Sequence, residues 1–431
     1  MSLSTRIKTL VTDRVAASRG PLNRLRAERF GLTRLSGGKP ELVLYYEAGD
    51  AHSHLCAQWL RANHQRIKAP LRIRMVPPPA AETYPEEASQ RRMAMLDAAR
   101  IAPACGLSWP LQAQLADADQ RERAGRLLAA VETDLNLWLE REAVLATALF
   151  AGQTIEGNLT PDSADVLAQN HQHRAHHGHY LPGMWQYRGD WFWALDRMTY
   201  LETALRKQDA YTDPAPLLQV KPEHYALPAS RTDEAIEVFF SFRSPYSYLS
   251  MAQLREDYQN WPNPVRIRPV LPMAMRGMKI PRAKGFYIVR DVYREAQRLG
   301  IAFGHIADPI GAGAQRCLQV FPLARDTAQQ IEFCYQAAHA IWSEAVDVAT
   351  DDGLRLVCER SGIDWHQAQA NLLDTAHLEH AENNRKALFE AGAWGVPTFR
   401  LGTFVCWGND RLPMLKQLLS KPDAAQVAQT G

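Results

Sequence analysis

Residues 239–250 read FFSFRSPYSYLS. The apolar run Phe239, Phe240 and Phe242 has strand character and stops at Arg243. Ser244-Pro245-Tyr246-Ser247 follows, and Tyr248-Leu249 opens a helical pattern. Serine at an N-cap with proline at the first helical position is a preferred helix start. Such a start carries unpaired N–H groups and about half a positive charge, which suits a thiolate, carboxylate or phosphate. A serine hydroxyl there can donate a hydrogen bond to that anion. A cysteine in the same place would be acidified. This turn carries oxygen at both candidate sulfur positions, Ser244 and Ser247, so it fits a thiol brought by a ligand. Helix capping alone is the plainer reading of the same residues.

Two more short stretches carry chemistry. GAWGVPTF, residues 392–399, turns through Gly395-Val396-Pro397-Thr398 into an apolar run. A cis proline there would present the backbone of Val396, and such a turn can hold an extended peptide by strand-like bonds. CWGNDR, residues 406–411, sets Gly408-Asn409-Asp410 ahead of the apolar pattern Leu412, Met414, Leu415 and Leu418. That is a helix-start signal, and a carboxylate in it can also hold an amino group.

The elements that must position these residues occur twice. VLYYEAGDAHSHLCAQWL, starting at Val43, lies on VFFSFRSPYSYLSMAQL at an offset of 194, which puts Asp50 on Ser244 and His52-Ser53-His54 on Tyr246-Ser247-Tyr248. LRIRMVPP (71–78) lies on VRIRPVLP (265–272), and Asp97 falls on Asp291. Further on, LPGMWQYRGDWFWALDR (181–197) resembles VPTFRLGTFVCWGNDR (396–411), with Pro182 on Pro397 and Asp196-Arg197 on Asp410-Arg411. Each half therefore reads β-α-β, a helical insert of about 90 residues by its 3.6-residue periodicity, then β-β-α. The expected boundaries are a basic segment at 1–37, a first domain at 38–212, a Pro-rich linker at 213–232 and a second domain at 233–431.

Composition excludes several function classes. The net charge of +2 over 431 residues gives no bulk case for nucleic acid or an anionic membrane. No apolar run approaches the ~20 residues of a membrane span. The six cysteines show no Cys-x-x-Cys spacing, so they read as reduced thiols in a cytoplasmic protein, with no metal site expected. The segment before residue 36 holds eight Arg/Lys against Asp13 and Glu28. A basic surface helix is preferred there over a mitochondrial leader.

Taken together, FFSFRSPYSYL, PRAKGFYIVRDVYREAQRLGI, GAWGVPTF and WGNDR resemble the DsbA-like thioredoxin superfamily. Within it, residues 235–420 are most similar to 2-hydroxychromene-2-carboxylate isomerases and kappa-class glutathione transferases. The resemblance implies an α/β fold of two tandem thioredoxin-like (DsbA-type) domains, each with an all-helical insertion. It implies glutathione as co-substrate, and a small electrophile or aromatic-derived acid as partner. By the same resemblance Ser244 favours the glutathione thiolate and is catalytic. Pro245 and Tyr246 line the turn, and Val396 before Pro397 pairs through its backbone with the glutathione cysteine. Asn409 and Asp410 hold the γ-glutamyl end, and Lys284 lies near the substrate.

This sequence also departs from the family. Pro269 to Pro281 is shorter than the usual loop and lacks an Asn-Lys-Pro-Pro motif that helps bind glutathione. In the first half, Asp50 replaces the serine and Ala51 the proline, and a carboxylate repels a thiolate. That half is expected not to activate glutathione. HQHRAHHGHY (171–180) brings five histidines to the equivalent of the site mouth. Asp50, His52 and His54 are expected nearby, with His176 and Asp50 the residues to watch. A solvated helix end is preferred there over a metal site. Two other functions stay open: a thiol-disulfide oxidoreductase, for which the paired sulfurs are absent, and a non-catalytic binding protein. A monomeric pseudo-dimer and a homodimer both fit the repeat.

Overall fold

In the first unit, every residue of the strand β1 (Leu42–Tyr46, LVLYY) is buried. A strand hydrophobic on both faces must lie inside a covered sheet. Its neighbours are β2 (Leu71–Met75), parallel, and β3 (Met184–Tyr187), antiparallel, with β4 (Asp190–Trp193) at the edge, giving the order β2-β1-β3-β4. The helix α1 (Ala51–Asn63) connects β1 to β2. Four helices follow: α2 (Glu87–Ile101), α3 (Ala118–Ala129), α4 (Leu135–Phe150) and α5 (Ser163–His176). After the β3–β4 hairpin, α6 (Met198–Arg206) closes the unit.

The second unit repeats this plan. β5 (Ile236–Phe240) is again buried throughout. With β6 (Val265–Pro269), β7 (Thr398–Leu401) and β8 (Phe404–Trp407) it forms the order β6-β5-β7-β8. α7 (Pro245–Asp257) joins β5 to β6, and α8 (Arg282–Leu299) leads into the insert. The insert continues as α9 (Ala312–Val320), α10 (Thr327–Ser343), α11 (Asp351–Arg360), α12 (Trp365–Asn371) and α13 (Ala376–Glu390), and α14 (Leu412–Leu419) ends the unit. Mixed α/β architecture with two four-stranded sheets is therefore the fold. This computed structural model describes residues 39–423 apart from 83, 279 and 280, and the basic segment 1–37 lies outside them. The described chain divides into units at 226/227.

Strand register makes the correspondence between units residue by residue. Leu42 pairs with Leu71 and Ile236 with Val265, an offset of 194 in both strands. Leu44 pairs with Trp185 and Val238 with Phe399, which fixes the later offset at 214. Two loop bonds agree: Ala194 N donates to Gly183 O and Gly408 N to Pro397 O, both at 2.8 Å. The position of Pro397 is thus taken by Gly183, and the sequence match of Pro182 to Pro397 is one residue out. The cause is local: the segments around the two prolines can be slid by one residue without loss of apolar matches, whereas hydrogen-bonded pairing cannot.

Helix caps hold the insert in place. Asp134, Asp326, Thr350 and Asp364 each accept a backbone N–H from the first turn of α4, α10, α11 and α12, a contact worth about 1 kcal/mol apiece. Residues 217–226, read from composition as part of a linker, are fastened to the first unit. Trp59 Nε1 donates to Leu217 O at 3.1 Å. Lys221 N and Ala226 N donate to Ala104 O and Arg100 O.

Glu142 ties α4 to β1 and α1. It is fully buried and accepts from Tyr46 Oη at 2.9 Å, His54 Nδ1 at 2.7 Å and Arg61 Nη2 at 2.7 Å. Removing one member of a buried charged network leaves its partners uncompensated. Glu142→Ala is expected to lower stability by about 3–5 kcal/mol, read from urea denaturation of the full chain. A loss below ~1 kcal/mol, the range of a surface pair, would contradict this assignment.

Candidate active site

Ser244 stands where β5 gives way to α7. Its backbone is extended (φ −104°, ψ 111°), and its Oγ accepts from Ser247 N at 3.1 Å. It is thus an N-cap, as the local sequence suggests, with Pro245 at the first helical position. The same hydroxyl also faces the turn before β7, where Ser244 Oγ donates to Val396 O at 3.4 Å. The Val396–Pro397 peptide bond is cis. Two distant stretches of sequence therefore meet at one hydroxyl. With Ser247 N supplying one hydrogen bond, the long contact to Val396 is the one a stronger acceptor would displace.

Tyr246 lies on the next turn. Its Oη donates to Asp291 Oδ2 at 2.7 Å, and Arg294 donates to Asp291 Oδ1 at 3.0 Å. Asp291 is buried, so the phenol anchors α8 against the start of α7. Lys284, two turns earlier on α8, places its ammonium 5.7 Å from the centre of the Trp394 ring. Burial lowers the pKa of Lys284 below the usual lysine range. Trp394 in turn meets Trp407 with ring centres 5.8 Å apart. At Gly395 a Cβ would come 2.8 Å from Trp407 Nε1, so a side chain there must displace the indole. The two tryptophans and Asp291 carry no motif of their own in the sequence. The repeat that sets Asp97 on Asp291 carries the available signal for that carboxylate.

Asn409 and Asp410 part company. Asn409 is buried, and its Oδ1 accepts from Ser250 Oγ at 3.1 Å and Gln253 Nε2 at 2.9 Å. Its carbonyl therefore fastens the turn after β8 onto α7. Asp410 is half-buried beside it. Arg243, just before Ser244, makes a two-pronged pair with Asp308 at 2.7 and 2.8 Å, joining the β5–α7 turn to the loop before α9.

The first unit keeps the frame and changes the groups. Asp50 caps α1 through Ser53 N at 2.7 Å. His52 Nε2 lies 3.5 Å from Asp97 Oδ2, the counterpart of the Tyr246–Asp291 contact. His54 is drawn away to Glu142. The histidine stretch goes elsewhere: His173 Nδ1 bonds Tyr45 Oη at 2.8 Å and its ring stacks on His177 at 4.1 Å. His179 is 1% exposed and packs on Trp191 at 4.7 Å. His52 and His54 meet Asp97 and Glu142, and Asp50 meets Ser53 N. The histidine stretch is not wholly a solvated helix end, since Arg174 and His179 are buried. Among the described residues, no three His, Cys, Asp or Glu side chains are placed to hold a metal ion.

Glu47 replaces Ser241 at the end of β1. It is 2% exposed and paired with Arg91 Nη2. Burial pushes its carboxyl up to about 7, against the opposing pull of Arg91. A carboxyl raised in the folded state binds more protons than in the unfolded chain between about pH 4.5 and 7. Its contribution to stability is therefore full below about 4.5 and is lost as pH rises through about 7. Thermal unfolding followed from pH 4.5 to 7.5 is expected to show that decline, flattened in Glu47→Gln. An unchanged slope in the variant would refute the assignment.

Comparison with known proteins bears on the second unit. Residues 235–420 match the DSBA-like thioredoxin domain. The 2-hydroxychromene-2-carboxylate isomerase of Pseudomonas putida is 27% identical over 194 residues, spanning 43% of this chain and 94% of that protein. Glutathione S-transferase kappa 1 of Rattus norvegicus is 25% identical over 208 residues, spanning 43% of this chain and 91% of that protein. A solved 2-hydroxychromene-2-carboxylate isomerase structure covers 46% of this chain and 97% of its own, at 25% identity and a TM-score of 0.39.

Proposed function

Starting from a second unit that is a DsbA-like thioredoxin domain, homologous to 2-hydroxychromene-2-carboxylate isomerase and glutathione S-transferase kappa, we propose that this chain is a glutathione-dependent isomerase or transferase. The observation that carries the reading is the position of Ser244 Oγ, between the N-terminus of α7 and the Val396 carbonyl. A hydroxyl that can rotate from that carbonyl to a sulfur anion, beside a 13-residue helix start, favours a thiolate over a thiol.

The donor set suits such a ligand. Ser244 would donate to the sulfur, Pro245 and Tyr246 would shape the turn, and the Val396 backbone would face the ligand's cysteine portion. Asp410 would take the amino end, with Asn409 holding it in place through α7. Lys284, desolvated against Trp394, would attract a substrate carboxylate. Glutathione, when bound, would supply a thiolate that adds to a conjugated substrate, leaving after bond rotation in an isomerisation or staying attached in a transfer. The chain's own task is to position and deprotonate that sulfur.

Disulfide exchange by the chain's own thiols is the weaker reading. Cys56, Cys317, Cys334 and Cys358 are buried, and burial pushes their thiols up, Cys358 to about 12. Cys406 is also buried, with Sγ donating to Arg411 O at 3.8 Å. Protonated, buried thiols are poor nucleophiles. We read the two units as diverged copies of one fold, and the chain as cytoplasmic.

The test is a pH titration of the absorbance of glutathione thiolate bound to the protein. A hydrogen bond to a charged group contributes about 1.5–3 kcal/mol, or roughly one to two pKa units. Ser244→Ala is therefore expected to raise the bound thiol pKa by about that much, and to lower turnover in proportion. Failure of glutathione to bind, or an unshifted pKa in the variant, would sink the proposal. Insulin reduction by the wild-type protein is expected to be absent.

A further inference from the structure

Arg174 lies on the last turn of α5, ahead of the turn into β3. It is 1% exposed. Among the described residues, its Nε and Nη1 have no hydrogen-bond acceptor, and its Nη2 meets only His171 Nδ1, at 3.2 Å. A guanidinium has five N–H donors and no acceptor. Burying one without an anion costs several kcal/mol in general. Desolvation pushes the Arg174 pKa down, but only to about 10, so it stays charged at neutral pH.

The two groups whose fields reach it are engaged elsewhere. Glu47 accepts from Arg91. Tyr45 Oη donates to Gln186 Oε1 at 3.1 Å. Glu47 and Tyr45 act on Arg174 through their fields, and neither makes a hydrogen bond to it.

The fold does not require a cation here. At the offset of 214 fixed by the strand register, Arg174 corresponds to Leu388, which is also 1% exposed. The offset holds along this helix: Arg74 donates to Asn170 Oδ1 at 2.8 Å, and their counterparts Arg268 and Asn384 make the same contact at 3.1 Å. One architecture thus fills one buried position with leucine in one unit and with arginine in the other. Arginine's N–H groups match the oxygens of carboxylate and phosphate.

We propose that the first unit is a binding site for a small oxyanion, a carboxylate or a phosphate, held on the Arg174 guanidinium at the α5–β3 turn. This site is separate in residues and in chemistry from the one built around Ser244, and it stands whether or not glutathione binds there.

The test uses the full chain, with sodium phosphate and sodium acetate as separate probes at matched ionic strength. Isothermal titration and thermal unfolding are expected to show that one of them binds with one equivalent per chain and raises Tm. Whichever probe binds identifies the anion class. Arg174→Leu, which installs the second unit's residue, is expected to weaken that binding at least tenfold while leaving the anion-free Tm equal or higher. Lys386→Met, at an exposed lysine of the other unit, is expected to keep it. The proposal is overturned if neither probe binds, if Arg174→Leu still binds, or if Lys386→Met abolishes binding. It is overturned equally if the anion-free Tm of Arg174→Leu falls by several degrees, for the guanidinium would then be a structural partner of Glu47.

Discussion

The pairing of β5 with two neighbours of opposite sense sets everything that follows in the second unit. β6 runs parallel to it and β7 antiparallel. The end of β5, where α7 begins, therefore lies beside the start of β7, where the Val396–Pro397 turn arrives. A slip of one residue in either ladder would reverse the faces of the strand and separate Ser244 from Val396. The hydroxyl, the helix terminus and the turn share a point because backbone hydrogen bonds allow no other register.

The same ladder in the first unit carries different groups to the equivalent point. Ser241, Ser244 and Tyr246 become Glu47, Asp50 and His52 across the offset of 194 that the β1–β2 and β5–β6 pairings share. Each change adds a carboxylate or an imidazole to a place that holds a hydroxyl or phenol in the other unit. Charges brought into a covered sheet need partners: Arg91 pairs with Glu47, and Asp97 lies against His52. Arg174 stands apart from them: among the described residues, no carboxylate accepts a hydrogen bond from it. The frame is common to both units, and the chemistry at its centre is not.

Much of this was legible in the residues themselves. Short apolar runs, the Ser-Pro helix start and the spacing of 194 carry the order of elements and the first half of each register. Legibility failed where several alignments conserve the same apolar pattern. By sequence Pro182 falls on Pro397, and the hydrogen bonds of Ala194 to Gly183 and Gly408 to Pro397 move the match to Gly183. It failed again for polar side chains whose partners are far along the chain. Nothing near His54 announces Glu142, 88 residues away, and nothing near Asn409 announces Ser250 and Gln253.

By itself the sequence determined the elements, their order, the absence of paired sulfurs at the Ser244 turn and the repetition of the plan. Those follow from local periodicity, capping chemistry and residue identity, which need no third dimension. Tertiary structure alone decided which polar groups are buried and with whom. It turned Asn409 toward a helix, set His54 against Glu142 and Lys284 against Trp394, and enclosed Arg174. Burial is the reason: the cost of a charge or a donor depends on what surrounds it, and those surroundings are brought together by the sheet register, from segments that the chain keeps far apart.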